Sequence, residues 1–358
     1  MNTATLKKRL DSARGPFASI YVDDSNNTED SGKARELHWR TVLDELRSQG
    51  APDELSARVV KFADRRPPIG NRGRALIVGQ TGVVVDEELP VVPSQPDVRF
   101  SVMPHLLPLF EFGAAEFTIL LAEVDRNGVD VSLIDEYGHA VAWDSEDLDR
   151  HPVHKAKVGD RFSWARVEER TEEMIERNFR DTAAHLTSTV EEIKPSILVI
   201  SGEVQARTGI ERLLPDHVRN LTFAVPEGGR ADGADDTQLT DAIAGIVQQL
   251  RSEKVAEALE RFRIEFGRSS GFAVDGIRTV AAHVQQANVD TLLVARPTDD
   301  TQPAPSGEDS RVEDAVLAAT LRQGGNIVVC KRDDVKFGDG FGAILRAPAL
   351  AVSDTYTD

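Results

Sequence analysis

At 358 residues the chain is long enough for two or three domains, each with its own core. Its 42 Lys+Arg stand against 60 Asp+Glu, and the resulting charge of −18 opposes indiscriminate binding to nucleic acid, so any RNA contact must be local. The single cysteine, Cys330, excludes an internal disulfide framework and a cysteine-built zinc site, and no apolar run approaches the roughly 18 residues of a membrane span.

The opening third is expected to hold a strand, FASIYVD, and a helix from Gly32 to Gln49 with Ala34, Leu37, Leu43 and Leu46 at helical spacing. RALIVGQTGVVVDEELP reads as a β-hairpin turning between Gly79 and Gly82. Before it, the stretch Lys61 to Arg74 gathers five cations and one acid, with Pro67, Pro68, Gly70 and Gly73 marking a loop. Prolines 90, 93, 96, 104 and 108 then predict an extended domain connection, since proline removes backbone donors and breaks helices.

A second unit begins near Glu116. FTILLAEV and GVDVSLID flank Asp125-Arg126-Asn127-Gly128, a hairpin turn. There follows a basic island, RHPVHKAKVGDRFSWAR, from Arg150 to Arg166. It carries five Arg or Lys, two His and one acid in an otherwise acidic chain. A long helix is expected from about Arg166 to Lys194, its stripe formed by Ala165, Met174, Ile175, Phe179, Ala183, Leu186 and Val190. SILVIS, a short helix, NLTFAV and a helix from Thr237 to Leu250 complete an alternating α/β unit.

The last third reads as a helix from Val255 to Phe266, a turn and helix in GFAVDGIRTVAAHVQQANV, and strand TLLVARP. Residues 299–314, acidic and rich in Pro, Ser and Gly, are expected to form a solvated loop. Helix VEDAVLAATLRQG, strand NIVVC and the Gly-rich tail FGDGFGAILR close the chain. Cys330 is expected to be a buried strand thiol. Gly338-Asp339-Gly340-Phe341-Gly342 approximates a phosphate-binding glycine pattern, but its spacing is wrong and it reads as a tight turn.

This order of units, and FGDGFGAILR above all, resembles the archaeal and eukaryotic class-1 release factor and Pelota family, whose C-terminal domain closes on a similar glycine-rich ending. Bacterial members of that family include ribosome hibernation factors of the Balon type. The resemblance covers residues 116–358 best. It implies a three-domain α/β protein: a mixed-sheet N-terminal domain over 1–115, a βαβ-type middle domain over 116–250, and a kink-turn-protein-like α/β C-terminal domain over 251–358. True release factors carry Gly-Gly-Gln shortly before a Phe-Ala-Arg-like helix start. Trp164-Ala165-Arg166 looks like that start, and the same spacing puts Gly159 in the Gln slot; no Gly-Gly-Gln occurs in the chain. Gly228-Gly229-Arg230 follows strand NLTFAV instead and reads as a flexible turn. The Asn-Ile-Lys-Ser motif that reads stop codons is also absent.

Two candidate RNA-binding segments follow. In the middle-domain loop these are Arg150, His151, His154, Lys155, Lys157, Gly159, Arg161 and Trp164, with cations for phosphates and ring systems for stacking on bases. The resemblance directs this loop to large-subunit RNA near the peptidyl-transferase centre. His151 and His154 have no nearby third ligand, so neither a metal pair nor a general base is expected. In the N-terminal loop the candidates are Lys61, Arg65, Arg66, Asn71, Arg72 and Arg74, which the resemblance directs to small-subunit RNA at the decoding centre. Pairing of these cations with the acidic stretch Asp23 to Asp30 is the open alternative.

The resemblance thus implies a cytoplasmic, non-catalytic hibernation factor occupying the A site of 70S ribosomes, with elongation factor Tu as a candidate delivery partner and with no cofactor, metal or membrane. A peptidyl-tRNA hydrolase or rescue factor with an unconventional loop is the alternative. An RNA-free interaction scaffold is the third reading.

Overall fold

The computed structural model describes residues 3–25, 31–63, 73–89, 92–112, 117–134, 164–226, 228, 236–296 and 308–349. They fall into two compact units, one made of residues 1–114 and 252–358, the other of 115–251. Each of the three expected segments contributes one four-stranded sheet, and the first and third segments share a unit.

The first segment runs α1 (Thr3–Ser12), β1 (Phe17–Asp23), α2 (Ser31–Ser48), α3 (Asp53–Ala63), β2 (Gly73–Val78), β3 (Val83–Leu89), β4 (Asp97–Ser101) and α4 (Leu107–Glu111). Its strand order is β3-β2-β1-β4, and every pairing is antiparallel, so this sheet is not the mixed one expected. Strand β1 lies in the middle and shows the period of two directly. Ala18, Ile20 and Val22 face Trp39, Val42, Leu46, Leu55 and Val59 of the two long helices. Phe17 and Tyr21 face Leu6, Leu10, Leu106 and Leu109. Both faces are covered, which is why FASIYVD reads as a nearly continuous apolar run. In α2 the buried stripe is Trp39, Val42 and Leu46, while Leu37, assigned to it from spacing, is 62% exposed.

The proline-dense stretch is not merely a connection. It contains β4, paired to β1 from Phe17↔Ser101 to Tyr21↔Asp97, and α4. Prolines 93, 96 and 104 bracket the strand without entering it, and a sheet edge needs only half of its backbone donors. Pro108 falls in the first turn of α4, where a missing N–H leaves no intrahelical bond unmade.

The second unit has β5 (Ile119–Asp125), β6 (Gly128–Ile134), α5 (Trp164–Ile193), β7 (Ile197–Gly202), α6 (Val204–Leu213), α7 (Asp216–Arg219) and β8 (Thr222–Val225). The order is β6-β5-β7-β8, antiparallel at the β5–β6 hairpin and parallel at β5–β7 and β7–β8: the expected βαβ arrangement. Asp125 sets the hairpin, its Oδ1 accepting from the Asn127 and Gly128 amides at 2.6 and 2.9 Å. Helix α5 buries Phe179, Ala183, Leu186 and Val190 against Leu120, Ala122, Leu198 and Ile200. Met174 of the expected stripe is exposed.

Helix α8 (Asp236–Gly267) is one helix where two were expected. Leu239, Ile243 and Val247 pack on Ile197 and Val199 in the second unit, whereas Leu259 and Phe262 pack on Leu293 and Ile344 in the third segment. From Val247 to Leu259 the chain turns through twelve residues, which at about 3.6 per turn leaves the second stripe roughly a third of a turn out of phase. A pattern search sees that shift as a break.

The third segment continues with β9 (Ala273–Asp275), α9 (Ile277–Gln285), β10 (Val289–Arg296), α10 (Glu308–Arg322), β11 (Asn326–Lys331) and β12 (Phe341–Leu345), ordered β11-β10-β12-β9. Strands β10 and β11 are parallel and the other pairs antiparallel. Helix α10 begins four residues before the expected helix VEDAVLAATLRQG: residues 308–311, assigned only to a solvated loop, are helical, and Glu313 and Asp314, which fell in both expectations, are buried. Cys330 is a buried thiol on β11, as expected.

Candidate functional site

The two basic segments occupy defined places in this fold. Residues 135–163 connect β6 to α5, so Arg150, His151, His154, Lys155, Lys157, Gly159 and Arg161 all lie in that connection and outside the described residues. Trp164 is the first residue of α5; its side chain is likewise outside what is described. The N-terminal cluster falls between α3 and β2. Lys61 is exposed in the last turn of α3, where a cation also suits the carboxyl end of a helix. Arg65, Arg66, Asn71 and Arg72 lie outside the described residues.

Arg74 is the correction. It is 6% exposed, and its guanidinium faces the protein. Its Nε and Nη2 donate to Asp86 Oδ1 at 2.9 and 2.8 Å, Nη1 reaches Asp24 Oδ2 at 3.4 Å, and the group lies 5.7 Å from the Trp39 ring centroid. A guanidinium committed to two carboxylates and an aromatic face has no donor fork left for a phosphate. Gly73 to Val78 is strand, and its alternation turns Arg74 inward beside Leu76. The alternative of pairing within the chain therefore holds for Arg74, through Asp24 of the acidic stretch. Asp24 also accepts from Arg35 Nε at 2.7 Å.

The largest described assembly of ionisable side chains lies where the first segment meets the third. His105 is 3% exposed. Its Nδ1 lies 2.7 Å from Asp314 Oδ1 on α10, and its Nε2 lies 3.2 Å from Asp97 Oδ2 on β4. Arg99 Nη1 approaches the other Asp314 oxygen at 3.3 Å. Arg296, at the end of β10, pairs with Glu111 at 2.8 Å and with Glu313. The Tyr21 hydroxyl donates to the His105 carbonyl at 2.6 Å, and the His105 amide donates to Ser19 Oγ at 3.0 Å. The two sheets are thus riveted by alternating charges.

Burial alone would drive His105 towards its neutral form, but the hydrogen bonds and charges of Asp314 and Asp97 outweigh it and raise its pKa above the ordinary histidine value. Burial also pushes Asp97 up, and the His105 hydrogen bond and charge, with Arg99, overcome it and hold this carboxyl below its usual range. For Glu111 and Glu313 burial wins and both are raised, with Arg296 and His105 opposing. Tyr21 is raised well above its ordinary value, first by burial and then by the surrounding carboxylates. Each member of this cluster is occupied by another member, and His105 is sealed from solvent, so the arrangement does the work of a joint. It offers no nucleophile to a substrate.

Pattern reading passed over this cluster, yet one signal was available. From Asp314, steps of three, four and seven reach Leu317, Ala318 and Leu321, all buried. Extending the α10 stripe backwards puts Asp314 on the core face. Among the described residues no group of three or more His, Cys, Asp or Glu is arranged to hold a metal ion, and no helix is long and apolar enough to cross a membrane.

Comparison with known proteins adds the family. Residues 118–268 match the model for bacterial archaeo-eukaryotic release factor family 2. The chain is 33% identical to the uncharacterized protein Rv2629 of Mycobacterium tuberculosis H37Rv over 362 residues, covering 95% of this chain and 96% of the relative; the MT2704 protein of strain CDC 1551 matches equally. Similar solved structures include Archaeoglobus fulgidus Pelota (15% identity, 77% of this chain and 80% of that one, TM-score 0.35). Dom34 of S. cerevisiae, described as a translation termination-like factor interacting with Hbs1, is another (10% identity, 78% and 79% coverage, TM-score 0.41). At these scores the structural likeness adds nothing to the sequence match.

Proposed function

This chain belongs to bacterial archaeo-eukaryotic release factor family 2, and from that premise we propose that it is a ribosome-binding translation factor that occupies the A site of idle 70S ribosomes and blocks it without chemistry. The observation that carries this reading is the concentration of cations in residues 150–166, the second half of the connection from β6 into α5, in an acidic chain. Within residues 150–166, up to the first turn of α5, Arg150, Lys155, Lys157, Arg161 and Arg166 stand with one acid, Asp160, against a net charge of −18; Asp135, Glu136, Asp144, Glu146, Asp147 and Asp149 precede them in the same connection. Such a protein gains nothing from general attraction to polyanions, so a localised basic segment favours one phosphate-lined cleft. In this reading His151, His154 and Trp164 stack or hydrogen-bond on exposed bases, and Lys61, Arg65, Arg66, Asn71 and Arg72 contact small-subunit RNA at the decoding centre.

Absence of Gly-Gly-Gln supports occupancy over hydrolysis. Release of a peptide from tRNA requires a positioned water and donors for the developing oxyanion. Gly159, in the slot that the family resemblance gives to glutamine, brings no side-chain donor. Delivery by elongation factor Tu would offset the slow encounter of two anionic surfaces.

The test is sedimentation of the full chain with purified 70S ribosomes, alone and with elongation factor Tu, in parallel with a peptide-release assay on ribosomes loaded with peptidyl-tRNA. The expected result is cosedimentation, competition with A-site tRNA and no release above background. Ribosome binding that A-site tRNA does not displace overturns the A-site assignment. Released peptide makes the protein a hydrolase.

A further inference from the structure

The joint between the first and third segments turns on the protonation of one imidazole. A neutral imidazole has one N–H and can donate to one acceptor; its other nitrogen then points a lone pair at whatever lies opposite. His105 has a carboxylate at each ring nitrogen, Asp314 at 2.7 Å and Asp97 at 3.2 Å. Only the imidazolium satisfies both. The surrounding charges make the same demand: β4 supplies Asp97 and Arg99, α10 supplies Glu313 and Asp314, α4 supplies Glu111, β10 supplies Arg296, and β1 supplies the Tyr21 hydroxyl. Four carboxylates face two guanidiniums, and His105 is the third cation of the set. Asp97 and His105 belong to the first segment and Asp314 to the third, so the two acceptors of the imidazolium lie on either side of the boundary.

We propose that His105 is a proton-held clasp: as the imidazolium it ties β4 to α10, and loss of its proton loosens the first segment from the third while both sheets stay folded. Apolar contacts cross the same boundary beside the clasp. Ala318 and Leu321 of α10 and Ile327 of β11 join the core around α1 and β1, Leu107 joins the core around β10, and Arg322 donates to the Leu10 carbonyl at 3.3 Å.

The direction of the pH dependence follows from linkage. His105 has a raised pKa when folded, so its contribution is complete below the ordinary histidine value and is lost as pH rises through the raised one. Asp97 is depressed when folded, so its contribution is complete above the ordinary carboxylate value and is lost as pH falls through the depressed one. The clasp is closed between these limits. It is independent of the ribosome-binding reading and survives if that reading fails.

The experiment is nitrogen NMR of the full chain labelled at its eight histidines, with H105Q used to assign the His105 signals. Both ring nitrogens of His105 should carry protons at neutral pH, with a midpoint above that of a free imidazole. D314N and D97N, which keep the side-chain shape, should each lower the midpoint, D314N by about one unit or more. Hydrogen exchange corrected for intrinsic rates should show α10 and β4 losing protection as pH passes the midpoint, with β1 and β10 still protected. Should H105Q not fold, D314N and D97N assign the signal by the shift they cause. A midpoint at or below the free value, indifference to D314N, or loss of all protection at once would overturn the clasp.

Discussion

Asp275 and Asp339 cap each other's segments. The Asp339 carboxylate accepts the Ile277 amide at 2.8 and 2.9 Å and so closes the start of α9, while the Asp275 carboxylate accepts the Gly338 amide at 3.0 Å and closes the turn that carries Asp339. Gly276, which precedes α9, has no side chain to cap it, so the cap comes from 62 residues away. This accounts for the glycine-rich ending as architecture. D339A should destabilise the protein by about 1 kcal/mol, the usual worth of a lost N-terminal cap. D275A should cost a similar amount, and the double variant less than the sum, since each bond holds the other's partner in place. Urea unfolding of the four proteins measures this, and strict additivity would show two independent caps.

Arg74 gives the sharpest test of what belongs to the surface. R74A takes the guanidinium from Asp86 and one of two guanidiniums from Asp24, which keeps Arg35 at 2.7 Å, so the loss should fall at or below the low end of the roughly 3–5 kcal/mol seen when a buried charge is left uncompensated. R74K should recover only part of that, because an ammonium lacks the fork that places two donors on Asp86. Thermal unfolding reads the loss. Ribosome affinity of the folded R74K protein should match the wild type. If affinity falls while stability holds, Arg74 leaves its pocket to bind RNA.

How far the fold was legible depended on whether a signal was local. The β2–β3 hairpin around Gly79 to Gly82, the Asp125 turn and the Phe179–Val190 stripe are each contained within a few residues, and the structure shows them. β4 was hidden because its proline flanks suggest a linker, and its identity as a strand comes from β1, some eighty residues earlier. α8 was hidden by a stripe that serves two cores in different phases. The His105 cluster draws on five elements, and its charges come from three separate stretches, 97–111 with Asp97, Arg99, His105 and Glu111, Arg296 alone, and Glu313 with Asp314; nothing local ties these stretches together. Composition made Glu313 and Asp314 look like the end of a solvated acidic run, while the helical pattern VEDAVLAATLRQG included the same two residues; the apolar residues three, four and seven positions on from Asp314 decide for the helix.

Gly202 ends β7 beside Val124, with φ at +115°, a conformation that side chains rarely adopt. A methyl group placed there would strike the Val124 carbonyl oxygen, which is backbone in the adjacent strand and cannot swing aside. G202A should therefore cost roughly 3 kcal/mol or more, combining conformational strain with overpacking. Denaturant unfolding measures the loss. A change below about 1 kcal/mol would mean that the end of the β5–β7 pairing has room that the packing denies.

Cys330 should be inert while the chain is folded. Its Sγ lies 3.6 Å from the Val294 carbonyl, and burial, assisted by the Asp334 charge, pushes the thiol up to about 11. At pH 8 only about one thiol in a thousand is then ionised, and thiolate is the reactive form. Labelling with a thiol reagent at pH 8 should be negligible in buffer and rapid in denaturant, with a rate that follows unfolding. Rapid labelling of the native protein would place Cys330 at the surface.

The ribosome-binding reading makes a quantitative demand on salt. If Lys155, Lys157 and Arg161 each neutralise a phosphate, binding releases counterions in proportion, and the logarithm of affinity falls linearly with the logarithm of salt concentration. Charge removal by K155Q, K157Q and R161Q together should flatten that slope by about 2 to 3, taking roughly 0.7–0.9 for each phosphate no longer neutralised. Reversal by K155E, K157E and R161E should abolish cosedimentation. The same triple glutamine change should leave the unfolding midpoint in urea near the wild-type value, since it touches only the connection between β6 and α5. An unchanged salt slope with intact stability would mean that the basic island does not meet RNA, and the acidic chain would then have to reach its target through a protein partner.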